Sequence, residues 1–242
     1  MDQQSAKHNG LSRDLRGIDA FILCGGQGTR FRSVLPNAPK SLAPFNEKPF
    51  LDILMEILFA QGVRRIVLGV GYLKDDIKNK YQNVPNVFIS EEHTPLGTGG
   101  ALKNAERFIT SDDFLVTNGD SVFMGLDYEA FYDFHTQHSG SVSIALAAPR
   151  AEKDFGGVSL AADNQITAFN EKNNLEEHNL MSGGVYLMKR SVFEMMPTTS
   201  FSLETDFFPR LVHQSLYGFA QSGEVIDIGT PERYERAKKI FS

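Results

Sequence analysis

The chain has 242 residues, of which 41% are hydrophobic, and it carries a formal net charge of −6. This size fits one α/β domain or two small ones, and the negative charge argues against a surface that coats nucleic acid. No apolar stretch reaches the roughly 18 residues of a membrane span, and residues 1–17 lack the apolar core of a signal peptide. We therefore expect a cytoplasmic protein with no nucleic-acid or membrane partner, preceded by a disordered tail over residues 1–17.

The first half of the chain alternates apolar, β-branched runs with segments of helical spacing. In chain order, the pattern predicts strands over residues 18–24, 65–70, 86–90, 113–118 and 141–147. It predicts helices over residues 49–62, 73–81, 97–109 and 127–138, and Pro49 and Gly62 delimit the first of them. Such alternation is typical of right-handed βαβ crossovers and of a mostly parallel sheet with helices on both faces.

The pattern changes after Pro149, where shorter strands follow one another. Strands are predicted over residues 156–160, 165–170, 181–188 and 225–229, and helices over residues 202–214 and 231–241. No linker rich in proline, glycine or serine separates the two halves. We expect an α/β, Rossmann-like fold with a mostly parallel mixed sheet and a smaller second lobe. It forms one domain over residues 18–242, with halves over 18–148 and 149–242.

The single cysteine, Cys24, ends the first predicted strand and cannot form an internal disulfide. We interpret it as a small buried residue, because no His/Asn constellation near it indicates a nucleophile. His135 and His138 are predicted to be surface histidines, since no further metal-binding residues accompany them. Three phenylalanines are predicted to lie in the core of the second lobe: Phe201, Phe207 and Phe208.

A glycine-rich turn, GGQGTRF, follows the first strand directly. Glycines here let backbone amides approach phosphate oxygens, and Arg30 and Lys40 supply cations for the same oxygens. The dinucleotide pattern fails because Phe31 stands where its third glycine belongs, and the Walker pattern fails because no G-K-[ST] follows. The alternative to a phosphate site is an ordinary βα turn.

Seven segments in this order carry a resemblance: GGQGTRF, PNAPK, PLGTGGA, NGD, NEK, SGG and IDIGTPE. They resemble the motifs of sugar-1-phosphate nucleotidylyltransferases from Ile18 onward, and among these they are most similar to the D-glycero-α-D-manno-heptose 1-phosphate guanylyltransferases. One departure is Ser41, where the family often has proline after Pro-Lys. The resemblance implies a GT-A-like fold and, at the level of the family, dimerisation through the second lobe.

The activity that the resemblance implies is transfer of GMP from GTP to a heptose 1-phosphate, with Mg²⁺ as cofactor. A sugar-phosphate oxygen attacks the α-phosphorus of the nucleotide and pyrophosphate leaves. The nucleophile is already an anion, so the protein must align two polyanions and neutralise charge rather than supply a general base.

The resemblance also implies a role for each motif residue. The catalytic group comprises Arg30, Lys40, Asp120 and Lys172, and the metal ligands are Asp120 and Asp227. The nucleotide is expected to contact Leu23, Gly25, Gly26, Gly28, Thr29, Arg30, Lys40, Glu92, Gly97 and Thr98. The sugar is expected to contact Gly156, Glu171, Lys172, Ser182 and Gly183.

Two finer hypotheses concern the base. The glycines of PLGTGGA open a helix and are expected to leave N–H groups free at its positive end, with Gly97 and Thr98 against the base. A carboxylate from Glu92 could accept both N1–H and N2–H of guanine, whereas uracil and thymine offer one N–H on that edge. The alternative for Glu92 is a solvated carboxylate.

Three other functions stay open at this point. Within the same class, the chain could be a mannose-1-phosphate guanylyltransferase, or a uridylyl- or thymidylyltransferase that acts on another sugar 1-phosphate. From a different class, it could be a non-catalytic subunit that senses nucleotide sugars. The failed glycine pattern disfavours a nicotinamide-dependent oxidoreductase.

Overall fold

A computed structural model describes residue 15 and residues 17–26, 28–149, 157–170 and 180–241. The strands are β1 Asp19–Leu23, β2 Pro44–Phe45, β3 Lys48–Pro49, β4 Arg65–Val70, β5 Val87–Glu91, β6 Asp113–Asn118, β7 Ser121–Met124, β8 Val142–Ala147, β9 Gly157–Leu160, β10 Ile166–Asn170, β11 Leu180–Lys189, β12 Leu216–Ala220 and β13 Glu224–Asp227. The α-helices are α1 Phe50–Ala60, α2 Lys74–Tyr81, α3 Gly97–Asn104, α4 Tyr128–Gln137, α5 Phe208–Leu211 and α6 Pro231–Lys238.

One mixed sheet joins the two halves of the chain. Strand β1 lies at its centre and pairs in parallel with β4 and β6, so that Phe21 lies between Val67 and Val116. Strand β11 of the second half pairs antiparallel with β6, β8 and β9, and β12 adds in parallel to β8. The predicted mostly parallel mixed sheet with flanking helices is confirmed.

Alternation along the strands divides the core into two layers, one on each face of the sheet. Ala20 and Ile22 of β1 belong to one apolar cluster and Phe21 to the other. Helix α1 covers the first layer with five buried side chains: Phe50, Leu51, Leu54, Met55 and Leu58. This helical face agrees with its sequence spacing of three and four residues.

Several elements differ from the sequence prediction. The helix predicted over 97–109 stops at Asn104, and a separate 3₁₀ turn covers Glu106–Phe108. The segment predicted as a helix over 202–214 is a π-helical turn, Leu203–Phe207, followed by the short α5. Four strands were not predicted: β2, β3, β7 and β12. Strands β2 and β3 have only two residues each, too few to show a period, and they pair with each other. Strands β7 and β12 pair with distant strands, β13 and β8, so their own residues do not reveal the pairing.

The prediction that His135 lies on the surface was wrong. Its side chain is buried between α4 and the sheet, where Nδ1 lies 2.8 Å from the Ser143 Oγ of β8. Its Nε2 lies 3.6 Å from the Asp113 carboxylate at the start of β6. His138 is half-buried, with its Nδ1 2.7 Å from the Phe134 carbonyl oxygen. The helical spacing of the pair gave no information about how deeply α4 packs.

Backbone hydrogen bonds hold three loops together at the carboxyl edge of the parallel strands. The Cys24 amide after β1 donates to the Gly69 oxygen, and the Gly119 amide after β6 donates to the Leu23 oxygen. The Glu92 amide after β5 donates to the Val70 oxygen. Ligands of open α/β sheets bind beyond this edge, so these loops mark the place to look for a site. None of the helices among the described residues combines the length and apolar character that crossing a membrane requires.

Candidate active site

A cavity of about 760 Å³ opens at this carboxyl edge. It lies between the loops after β1, β5 and β6 on one side and strand β11 with the π-helical turn Leu203–Phe207 on the other. Most of the predicted site residues that the structure describes line this cavity: Leu23, Gly25, Gly26, Arg30, Lys40, Glu92, Gly97, Thr98, Asp120, Ser182 and Gly183. The fold thus brings residues from both halves of the chain to one space of ligand size.

Cationic side chains and a carboxylate meet at one end of the cavity. Lys40 lies on a 3₁₀ turn after Pro39, and its ammonium contacts the half-buried carboxylate of Asp120 in the turn between β6 and β7. Arg30 lies on the 3₁₀ turn Thr29–Phe31 and lines the same cavity. These groups are the cations that a triphosphate requires.

Asp227 lies next to this end but is not part of the cavity lining. It ends β13 opposite Ser121 of β7, and the amide of the following Ile228 donates to the Asp120 carbonyl oxygen. Its Oδ1 accepts hydrogen bonds from the Gly229 amide and from Arg233. Its Oδ2 is buried and has no hydrogen-bond partner among the described residues.

These two aspartates fit a divalent cation of the magnesium type. Buried carboxylate oxygens without a partner are uncommon in proteins, and a bound cation would satisfy the Oδ2 atom of Asp227. Among the described residues, no group of three or more His, Cys, Asp or Glu side chains could hold a metal. Magnesium usually takes one or two protein carboxylates and completes its shell with phosphate oxygens and water, so a larger cluster is not required.

Glu92 forms part of another wall of the cavity. Its Oε2 accepts a hydrogen bond from the Leu96 amide at 3.0 Å. Its Oε1 lies so close to the backbone of Gly25 that a Cβ at that position would approach it to 2.6 Å. Burial raises the pKa of Glu92, and the Leu96 amide opposes this effect. The carboxylate is therefore held against the glycine loop rather than solvated, and Gly25 is needed for the close approach.

The expectation of free N–H groups at the start of α3 was wrong for Gly99 and Gly100. Both amides donate to the carbonyl oxygen of Phe201, at 3.0 and 3.2 Å, and the Phe201 amide donates to the Leu96 oxygen. Gly97 has a φ of +73°, and a Cβ there would lie 2.5 Å from the Phe201 oxygen. The glycines of this motif therefore allow a segment of the second half to cap the helix.

The cavity wall also contains residues for which the sequence analysis assigned no role. Glu204, Tyr186 and Phe169 line it on the side of the second half, and Tyr72 lines it beside the glycine loop. Phe201, Phe207 and Phe208 are buried, as predicted, and Phe201 packs on α3 of the first half. In the run SLETD, Ser202 stands before two acidic residues, which is typical of a helix start. No local pattern places Glu204 at a ligand cavity.

Other predicted residues lie outside the cavity or outside the described residues. Gly28 precedes the 3₁₀ turn of Arg30 with a φ of +55°, and neither Gly28 nor Thr29 is part of the cavity lining. The remaining sugar-side predictions, Gly156, Glu171 and Lys172, lie outside the described residues.

Cys24 and Ser41 form a buried pair on the wall next to Asp120. Burial raises the pKa of the Cys24 thiol to about 12, an effect that the Ser41 hydroxyl opposes and the Asp120 charge reinforces. The thiol therefore stays protonated at neutral pH, which agrees with its interpretation as a packing residue. Ser41, the departure from the Pro-Lys-Pro pattern, is buried beside this thiol.

Known proteins resemble this chain in sequence and in fold. Residues 19–241 match the protein family described as "Nucleotidyl transferase". The chain belongs to this family. One relative of this nucleotidyl transferase is the D-glycero-alpha-D-manno-heptose 1-phosphate guanylyltransferase of Aneurinibacillus thermoaerophilus, with 35% identity over 92% of this chain and 97% of that protein. Another is the mannose-1-phosphate guanylyltransferase of Mycobacterium tuberculosis, with 31% identity over 90% of this chain and 63% of that protein.

Solved structures agree with these sequence relatives. HddC from Yersinia pseudotuberculosis superposes on this nucleotidyl transferase with a TM-score of 0.80 at 33% identity, over 93% of this chain and 100% of that chain. A second structure, of HddC complexed with GMP-PN, gives a TM-score of 0.78 at 34% identity. The predicted family and the predicted GT-A-like fold class are confirmed.

Proposed function

We propose that this nucleotidyl transferase transfers GMP from GTP to D-glycero-α-D-manno-heptose 1-phosphate, with GDP-heptose and pyrophosphate as products. The observation that carries the proposal is one cavity that is lined by the cations Arg30 and Lys40, the Asp120 carboxylate and the half-buried Glu92. The similarity to heptose 1-phosphate guanylyltransferases and to HddC, which was solved with GMP-PN, supports this choice of substrates.

In this proposal the basic end of the cavity binds the triphosphate. Arg30 hydrogen-bonds the β- and γ-phosphates and stabilises the departing pyrophosphate, and Lys40 neutralises the same oxygens as a mobile point charge. The Lys40 ammonium contacts Asp120 in the structure, so phosphate oxygens would share this cation with the carboxylate. The glycine loop at Gly25 and Gly26 leaves room for phosphate oxygens beside the backbone.

We further propose that Asp120 and Asp227 hold Mg²⁺. When bound, this ion supplies charge neutralisation at the phosphates around the reacting phosphorus. The chain itself aligns the substrates, because the sugar phosphate needs no base and must only be held in line with the scissile bond. By resemblance, Lys172 bridges the two phosphates and Glu171 accepts hydrogen bonds from the sugar.

In this proposal, Glu92 is the residue through which the protein prefers guanine to other bases. The Glu92→Gln change should lower the preference for GTP over UTP about tenfold or more, because an amide accepts one guanine N–H and repels the other. The preference is measured as the ratio of kcat/KM values. The control is Glu91→Gln, since Glu91 pairs with Lys74 and Lys78 on α2 instead. An unchanged ratio in Glu92→Gln would remove this residue from base recognition.

Protonation of Glu92 provides a second readout of the same contact. Because burial raises its pKa, the carboxylate becomes protonated earlier than an ordinary glutamate as the pH falls. The protonated form cannot accept both guanine N–H groups, so the KM for GTP should rise as the pH falls towards that pKa. The Glu92→Gln protein should lack this rise.

One panel of assays tests the proposed function as a whole. Pyrophosphate release is measured with GTP, UTP, dTTP, CTP and ATP, each against heptose, mannose, glucose and N-acetylated sugar 1-phosphates. The proposal expects GTP with the heptose 1-phosphate to give the highest kcat/KM. Preference for mannose 1-phosphate would favour the function of the Mycobacterium tuberculosis relative. No turnover with any pair would favour a nucleotide-sugar-sensing subunit. The cytoplasmic location and the homodimerisation stay predictions, because the panel does not test them.

A further inference from the structure

Glu204 is an acidic residue on the cavity wall that no motif of the sequence analysis contains. It lies in the π-helical turn Leu203–Phe207, directly after the segment that caps α3. Turns of this type are rare and are often found at functional sites. The position of Glu204 in the cavity raises the question of which ligand group a carboxylate would bind there.

The Glu204 carboxylate connects the two halves of the cavity. Its Oε2 accepts hydrogen bonds from the Thr98 hydroxyl at 2.7 Å and the Ser202 hydroxyl at 2.9 Å, and its Oε1 accepts one from the Tyr186 hydroxyl at 3.3 Å. Three described donors thus use three of the roughly four acceptor positions of a carboxylate. One position at Oε1 remains for a further donor.

Charge restricts which part of a substrate can supply this donor. Phosphate groups require cations such as Arg30 and Lys40, whereas the side-chain partners of Glu204 among the described residues are the neutral hydroxyls of three residues, Thr98, Ser202 and Tyr186. A carboxylate in these surroundings repels a phosphate. A neutral hydroxyl forms a short, strong hydrogen bond to an ionised carboxylate. The ligand group at Glu204 is therefore a hydroxyl and not a phosphate.

The position of Glu204 favours the acceptor sugar over the ribose of the nucleotide. Its partner Tyr186 belongs to β11, the strand that also carries Ser182 and Gly183 on the sugar side of the cavity. Phe169, on the same cavity wall, lies two residues before the predicted sugar ligand Glu171. Glu204 thus lies beside Tyr186 on the predicted sugar side as well as beside Thr98 on the predicted base side.

We propose that Glu204 binds a ring hydroxyl of the sugar 1-phosphate and helps to determine which sugar is accepted. The inference rests on the proposed function, because it needs a sugar 1-phosphate as substrate. It adds a residue from outside the motifs that carry the resemblance, and it assigns a function to the π-helical turn that follows the capping segment of α3. The three protein hydroxyls hold the carboxylate in place for this contact.

The Glu204→Gln change tests the proposal with little disturbance to the fold. Hydroxyls both donate and accept, so Thr98, Ser202 and Tyr186 can reorient towards an amide. The expected result is a rise of about tenfold or more in the KM for the sugar 1-phosphate, the cost of one hydrogen bond to a charged acceptor. The KM for GTP and the thermal unfolding midpoint should stay unchanged.

The matched control is Asp206→Asn on the same turn. The Asp206 carboxylate accepts the Ser202 amide at 2.7 Å on the exposed side and does not line the cavity. If Glu204 served only the shape of the turn, both variants would raise both KM values together. A rise in the KM for GTP alone would place a ribose hydroxyl at Glu204 and overturn the proposal.

A crystal of the unaltered protein with a bound sugar 1-phosphate tests the contact without any substitution. A ring hydroxyl within hydrogen-bonding distance of Glu204 Oε1 is expected, and a sugar bound elsewhere would overturn the proposal. The experiments use whichever nucleotide and sugar 1-phosphate the panel finds to turn over. If heptose 1-phosphate is not turned over in that panel, the proposed function fails. If the sugar that is turned over does not contact Glu204, the inference about Glu204 fails, so the two failures are distinguishable.

Discussion

Asp120 and Lys40 form the pair of side chains on which the proposed chemistry depends most. They are 80 residues apart in sequence, yet the fold brings their charged groups into contact at one end of the cavity. Their side chains are 33% and 20% exposed, so the contact is open to water and to a ligand. A pair of this exposure contributes little to stability, which leaves both residues available for function.

The Asp120→Asn change should separate function from folding. We expect a loss of about 100-fold or more in kcat with Mg²⁺, a typical cost of removing one charge-stabilising group. The unfolding free energy should change by less than about 1 kcal/mol, because the lost ion pair is partly exposed. Pyrophosphate release and urea unfolding measure the two quantities. Asp133→Asn on α4 is the control, and undiminished turnover in Asp120→Asn would exclude Asp120 from the metal site.

At the scale of secondary-structure elements, α3 shows how one glycine motif serves packing. The ring of Phe201 lies over Gly99, where a Cβ would approach its Cε2 to 2.1 Å. The Phe201 carbonyl oxygen also accepts hydrogen bonds from the Gly99 and Gly100 amides in the first turn of the helix. A segment of the second half thus replaces the ligand that a glycine-rich helix start would otherwise attract.

The Gly99→Ala change should destabilise the protein although alanine is the better helix former. Overpacking against Phe201 should cost about 1–3 kcal/mol of unfolding free energy, measured by urea denaturation. Gly26→Ala is the control, since a Cβ there meets nothing within 4 Å. We expect the control to keep its stability and to raise the KM for GTP. Equal stability of the two variants would contradict the packing of Phe201 on α3.

At the scale of the whole molecule, the carboxylates at the two edges of the parallel strands have different surroundings. Carboxylates at the amino edge are bound by the protein itself: Asp19 accepts the Thr110 and Ser111 amides, and Asp113 lies beside His135 and Tyr132. Carboxylates at the carboxyl edge, Glu92 and Asp120, line the cavity. Charge at the amino edge is thus bound within the protein, and charge at the carboxyl edge is the charge that the proposed function uses to bind ligands.

Asp113 makes stability depend on pH. The His135 imidazole beside it lowers the pKa of Asp113, and burial opposes this effect. A lowered pKa stabilises the ionised form, so the contribution is full above the unfolded pKa of about 3.9 and is lost as pH falls through the folded pKa. Asp113→Asn should therefore cost about 1 kcal/mol at pH 7 and progressively less below about pH 5.

Urea unfolding at several pH values measures this difference between the unaltered protein and Asp113→Asn. The neighbouring Asp112, which is exposed, gives the control Asp112→Asn. A difference that stays constant from pH 7 down to the acid limit would show that the charge of Asp113 makes no contribution.

The sequence by itself determined the family, the parallel strands of the first half and eleven of the residues that line the cavity. These features depend on local patterns, because apolar periodicity, glycine turns and motif order are written within short segments. The Thr98–Glu204 contact joins residues 106 positions apart, and no segment contains its signal. The cap that Phe201 places on α3 and the burial of His135 are of the same kind. Only the tertiary structure decided them, because packing chooses partners that are distant in sequence.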